Sequence, residues 1–254
     1  MTTISFVGQC HTVGYAGVPP DAAFPNVCRD VVQSARPGTR VEVRLHPCFH
    51  PSELVDRVRA ALRGNPRVVV VEVIGWLAVK GTTAVDLSRL PKRVRSTYER
   101  MRHFRHVAHA VTRNSPVAAT AVQRVETAVS GAGYRLLRPL LPRHVRPTLQ
   151  EYEQCLDAAL KWIAASDVHA VVQGPAAPNT TLDSPELAPD TLARYREVDA
   201  MARRVAAAHG ALFVDRWDTV GTGFYGAGTV RPTREGHSNW GQLLAGELLR
   251  AGIV

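Results

Sequence analysis

The chain has 254 residues, 45% hydrophobic and 21% charged, with a net charge of +9. That length and balance suit one large core or two small ones and exclude collagen-like, low-complexity and disordered chains. No apolar run approaches the roughly 18 to 20 residues of a membrane helix, and Met1–Gly8 lacks the basic-then-apolar order of a signal peptide. In chain order, Ile4–Gly8 reads as a short strand closed by glycine, and Val41–Leu45 as a second in alternating pattern. Residues 52–63 space Leu54, Val58 and Leu62 four apart, the interval of a helix face. The β-branched run Val68–Ile74 reads as a strand buried on both faces. Thr148–Ala164 is a predicted helix, Val168–Gln173 a strand, 187–208 a helix with Gly210 as its cap, Ala211–Asp215 a strand, and 238–250 the last helix. Strands alternating with helices at crossover spacing predict an α/β fold: a flavodoxin-like, three-layer, doubly wound parallel sheet of five strands.

Residues 79–147 interrupt that rhythm. They hold fourteen Lys/Arg against three Asp/Glu, a net of +11, while the remainder of the chain nets −2. They read as a basic helical insertion, or lid, with helices near 92–112 and 116–130 and a Pro-punctuated stretch from Arg135. The expected domains are therefore 1–78 with 148–254 as the α/β core and 79–147 as the insertion. An insertion there lies above the carboxyl ends of the strands, where open α/β sheets bind ligands. A field of this sign draws an acidic partner. Arg135–Arg146 interleaves leucine and arginine, which suits an acidic carrier protein or a membrane surface. It lacks the aromatic residues of a nucleic-acid groove, so nucleic acid is the poorest fit.

Four cysteines, Cys10, Cys28, Cys48 and Cys155, are too few and scattered for a disulfide scaffold, and no Cys-x-x-Cys pair is present. The expectation is a reduced, cytoplasmic protein with a reactive cysteine and neither metal nor cofactor. His103, His106 and His109 recur every three residues, but that step drifts around a helix and no carboxylate joins them. His46 and His50 flank the loop after the second strand, as pocket-lining or solvated residues. Asp215 and Asp218 follow the last strand as turn residues.

The segment Gly8-Gln9-Cys10-His11-Thr12-Val13-Gly14-Tyr15 resembles block I of the SGNH (GDSL) hydrolases, Gly-Asp-Ser-Leu-Ser/Thr-x-Gly-Tyr. Ala23-Phe24-Pro25 is similar to the start of that family's first helix. Val68 through Gly75-Trp76-Leu77 resembles the strand ending in Gly-x-Asn-Asp. Phe213–Asp215 with Glu235-Gly236-His237-Ser238-Asn239-Trp240-Gly241 resembles the last strand and the Asp-x-x-His-Pro-Asn-x-x-Gly block. The likeness spans everything except the insertion, about 185 residues.

What this resemblance implies is a nucleophile at Cys10 and a base at His237. The family's aspartate position falls on Arg234, and Glu235 beside it is the substitute. Gly8, Gln9 and His11 would flank the nucleophile. The oxyanion position after strand two falls nearest Cys48; the glycine of Gly-x-Asn-Asp falls on Gly75 and its asparagine on Trp76, or on Leu77 if the register slips by one. A thiol ionises more readily than a hydroxyl, so a Cys–His dyad is coherent without the aspartate. A thioester favours amine acceptors over water more than an oxygen ester does. The implied activity is acyl transfer through Cys10 to a small-molecule amine or hydroxyl acceptor. The donor would be an acyl carrier protein or coenzyme A thioester, possible within specialised-metabolite biosynthesis. A thioesterase or esterase is the second reading, and a non-catalytic binding protein of the same fold the third.

Overall fold

The computed structural model describes residues 1–9, 12, 18–48, 50–73, 148–177, 191–217 and 232–254. By its contacts the chain divides into a unit of Met1–Val79 with Pro147–Val254 and a second unit, Lys80–Arg146. The described residues all belong to the first. The expected insertion at 79–147, with His103, His106 and His109, lies outside them.

The strands are β1 (Thr2–Gly8), β2 (Val41–Pro47), β3 (Val68–Glu72), β4 (His169–Gln173) and β5 (Leu212–Val214). They form one parallel sheet in the order β2-β1-β3-β4-β5. The helices are α1 (Phe24–Ala35), α2 (Leu54–Leu62), α3 (Leu149–Ala164), α4 (Thr191–Ala208) and α5 (Arg234–Arg250). This is the predicted doubly wound α/β architecture.

Alternation along each strand sends apolar side chains to two cores. Val7, Val69, Val71 and Val172 pack on the layer of α2, α3 and α4. Ile4, Phe6, Val70 and Val214 pack on the layer of α1 and α5. All of β3 is buried, as its β-branched run predicts. Gly210 ends α4 with φ +61°, the left-handed turn for which glycine has no steric penalty. Thr148 and Glu151 form a reciprocal capping box at the start of α3.

The important departure is at the last helix. The expected start is 238; the observed start is Arg234. Thr233 is the reason. Its Oγ1 accepts the Gly236 N–H at 3.2 Å, which satisfies one of the orphan donors of the first turn. Glu235 and His237 therefore belong to a helix rather than to a loop.

Candidate active site

In this sheet order the crossover direction reverses between β1 and β3, and ligands of such sheets bind at the carboxyl ends of the strands flanking that reversal. The last register pair is Val7 with Val71, so Gly8 and Glu72 stand side by side at that edge. Glycine is required there. A Cβ on Gly8 would meet Glu72 Oε2 and Thr12 Cγ2, each at 2.7 Å. The space that glycine leaves lets Glu72 Oε2 accept the Gln9 N–H at 3.2 Å. One peptide further on is Cys10. The Gln9 carbonyl accepts both the Thr12 N–H at 2.9 Å and the Thr12 hydroxyl at 2.6 Å. The chain thus turns back within three residues of the strand end. Cys10 and His11, and likewise Gly75 and Trp76, lie outside the described residues.

Glu72 is only 4% exposed, and a lone carboxylate at that depth would be costly. Its counter-charge is Arg216, 2% exposed, whose Nη1 donates to Glu72 Oε1 at 3.2 Å. Arg216 Nε donates to the Gly174 carbonyl at 2.6 Å, and its guanidinium lies 4.4 Å from the Trp240 ring centre. Gln173, in register with Glu72, is fully buried. Among the described residues neither polar atom of its amide has a hydrogen-bond partner. Neither Glu72 nor Arg216 figures in the sequence reading of the site. The signal was a single acid inside Val-Val-Val-Val-Glu-Val, which a strand buried on both faces can hold only with a partner.

His237 lies on the first turns of α5. It is fully buried on the inner side of α5. Its Nδ1 accepts the Phe24 N–H at 3.2 Å, and its ring stacks on the Phe24 ring at 6.2 Å. Phe24 opens α1, and the preceding Ala23 has no side chain with which to cap it. His237 supplies that cap from another helix. A neutral ring whose Nδ1 accepts carries its proton on Nε2.

Glu235 is exposed while His237 is buried, because residues two apart on a helix point to opposite sides.

The Cys48 N–H donates to the Gly8 carbonyl at 2.7 Å, continuing the β1–β2 pairing. Burial, reinforced by Glu53, pushes its thiol up to about 12, and Sγ contacts the His50 carbonyl at 3.3 Å. His50 accepts the Ser52 N–H through Nδ1, as the cap of the short turn Pro51–Glu53. His46 is in register with Val7; burial first, then Arg44, Arg57 and Arg63, lowers its pKa. Asp215 accepts the Trp217 N–H at 2.8 Å, a turn role. Among the described residues no three His, Cys, Asp or Glu side chains gather as a metal site requires, and no helix is long and apolar enough to cross a membrane.

No protein-family model matches the chain, and no curated protein does. Solved structures do. A lipase/acylhydrolase from Enterococcus faecalis superposes with a TM-score of 0.62 at 15% identity, covering 99% of this chain and 97% of that one. The structure titled TesA gives 0.55 at 11%, over the whole of both chains. An acetylxylan esterase from Geobacillus stearothermophilus gives 0.57 at 12%, covering 97% and 94%. The chain shares the fold of the GDSL hydrolases. At these identities the likeness extends to the fold.

Proposed function

We propose that this chain is an acyl-transferring enzyme of the GDSL fold that works through Cys10. The thiolate adds to the carbonyl carbon of an acyl thioester or ester. The new S–C bond forms, the donor's thiolate or alkoxide departs and takes up a proton, and an acyl-cysteine remains. An amine or hydroxyl acceptor then attacks that carbonyl, the S–C bond breaks, and the thiolate is restored as the acceptor's proton leaves. The observation that carries the reading is the turn after β1, held by Glu72 on the Gln9 N–H and by Thr12 on the Gln9 carbonyl. It supports a side chain presented at position 10, at the binding edge of the sheet.

The donor in this reading is a thioester on an acidic carrier protein or coenzyme A. The +11 of residues 79–147 supplies the field that would dock it, in a reducing, cytoplasmic setting that keeps Cys10 a thiol. Cysteine ionises without a strong base, so the reading does not require His237 to release Phe24.

A second reading, a binding protein of the same fold, is favoured by His237: its Nδ1 is committed to the Phe24 N–H and Glu235 points away. Intact-protein mass after incubation with a panel of acyl thioesters separates the two. The expected result is a mass gain equal to the acyl group, absent in Cys10→Ala, that decays faster with amines or alcohols than with water alone. Decay in water at an undiminished rate makes the protein a thioesterase. No adduct with any donor, together with a Cys10 inert to iodoacetamide, leaves the binding reading.

A further inference from the structure

We propose that the side-chain amide of Gln173 is a specificity group that meets a secondary amide of the acyl donor, unpaired in the free protein and paired once the donor is seated. The inference rests on the acyl-transfer reading and deepens it by naming a polar group that the donor must carry.

Gln173 is the last residue of β4, at the carboxyl edge of the sheet where open α/β folds take their ligands. Its backbone is pinned on both sides. The Gln173 carbonyl accepts the Val73 N–H at 2.9 Å, and the next N–H, that of Gly174, donates to the Val214 carbonyl at 3.0 Å. In register it stands between Glu72 on β3 and Val214 on β5. Alternation puts its side chain on the face of Val171 and Val214, toward α1 and α5. The residue is fully buried, and among the described residues neither Nε2 nor Oε1 has a hydrogen-bond partner. Its register neighbour Glu72 turns Oε2 to the Gln9 N–H and Oε1 to Arg216 instead.

An unpaired amide at that depth weakens the fold. Val171 before it on this face and Val214 beside it belong to the apolar core, so an apolar side chain would suit the position. What an apolar side chain could not offer is a donor and an acceptor to a bound molecule. Nε2 needs an acceptor and Oε1 a donor, and an amide carries one of each. The donor of the proposed reaction brings such a group in either of two parts: an acyl chain of peptide type, or the pantetheine arm of coenzyme A or a carrier protein, which is built on secondary amides. Because the Gln173 amide is dry and unpaired beforehand, pairing it costs none of its own hydration, and the bond counts toward the ligand.

The test uses thioesters paired by shape. N-acetylglycyl and isocaproyl S-ethyl thioesters differ by an amide in the acyl part. Octanoyl thioesters of N-acetylcysteamine and of isohexanethiol differ by an amide in the thiol part. Intact-protein mass reads the acylation rate in the parent and in Gln173→Met, which keeps the length of the side chain and loses both polar atoms. The parent is expected to acylate at least about tenfold faster with the amide-bearing member of one pair, and Gln173→Met to bring that pair within about twofold of each other. The pair that responds tells which part of the donor Gln173 meets. Without donor, the melting temperature of Gln173→Met is expected to rise by about 2 °C or more, because an unpaired buried amide is gone. A lower melting temperature, the sign of an amide already paired with protein or internal water, overturns the proposal. So does a preference that is absent in the parent or survives in the variant. If Gln173→Met does not fold, Gln173→Leu takes its place, and the parent's preference decides if neither folds. Failure of the underlying reading looks different: no acyl adduct from any donor removes the enzyme. Calorimetric binding of the same thioesters then decides, with the same preference expected and its absence overturning the proposal.

Discussion

His237 shows how one hydrogen bond gives a residue a structural role that its sequence context does not suggest. A histidine among Gly, Ser and Asn near the end of an α/β chain invites a catalytic reading. The structure gives it the Phe24 N–H, a donor that the first turn of α1 leaves without an intrahelical partner. Losing that acceptor and the ring volume is expected to cost about 2–4 kcal/mol in His237→Ala. His237→Asn, whose Oδ1 stands near the former Nδ1, is expected to regain about 1 kcal/mol of that loss and to keep the parent's rate of Cys10 acylation. Urea unfolding and adduct mass measure the two effects. Unchanged stability with acylation lost in both variants would return His237 to the role of base.

Helix α5 carries two glycines whose surroundings its sequence does not distinguish. Gly241 and Gly246 look alike in the sequence. A Cβ on Gly241 would meet Val27 Cβ at 2.6 Å and the Phe24 backbone carbonyl at 2.8 Å, so α1 and α5 touch there through glycine alone. A Cβ on Gly246 would meet nothing within 4 Å. Gly241→Ala must push the helices apart, and through them the Phe24–His237 bond, at a cost of about 1–3 kcal/mol. Gly246→Ala is expected to stabilise by about 0.5–1 kcal/mol through helix propensity. Equal midpoints in urea for the two variants would show that the close approach is not needed.

The whole molecule should weaken in alkali. Burial pushes the Cys28 thiol from 9.0 up to about 12, and Cys48 reaches about 12 for the same main reason. Both groups hold their protons more tightly folded than unfolded. Their contribution is fully present below about pH 9 and is lost as pH rises towards 12, because the unfolded chain ionises first. Each thiol then removes about 1.4 kcal/mol per pH unit. Unfolding free energies at pH 8, 9 and 10 should fall progressively, and less steeply in Cys28→Ala. A flat profile would mean that these thiols are not held protonated by the fold. The same two cysteines should resist alkylation in the native protein.

The sequence by itself determined the fold class, because alternation, β-branched runs and glycine caps act over a few residues and are visible locally. Strand β3, helix α3 and the Gly210 cap were legible in this way. It also marked the turn after β1, through its resemblance to block I. Only the tertiary structure decided what surrounds that turn. Glu72 and Arg216 are 144 residues apart, and Phe24 and His237 are 213 apart. Nothing local says that a lone glutamate in a valine strand will find its cation after β5. Nor does any local pattern say that Thr233 will start a helix early enough to turn His237 inward and Glu235 out. A site of this kind is made by strand order and helix packing, which bring distant polar groups to one edge and leave each only the partners found there.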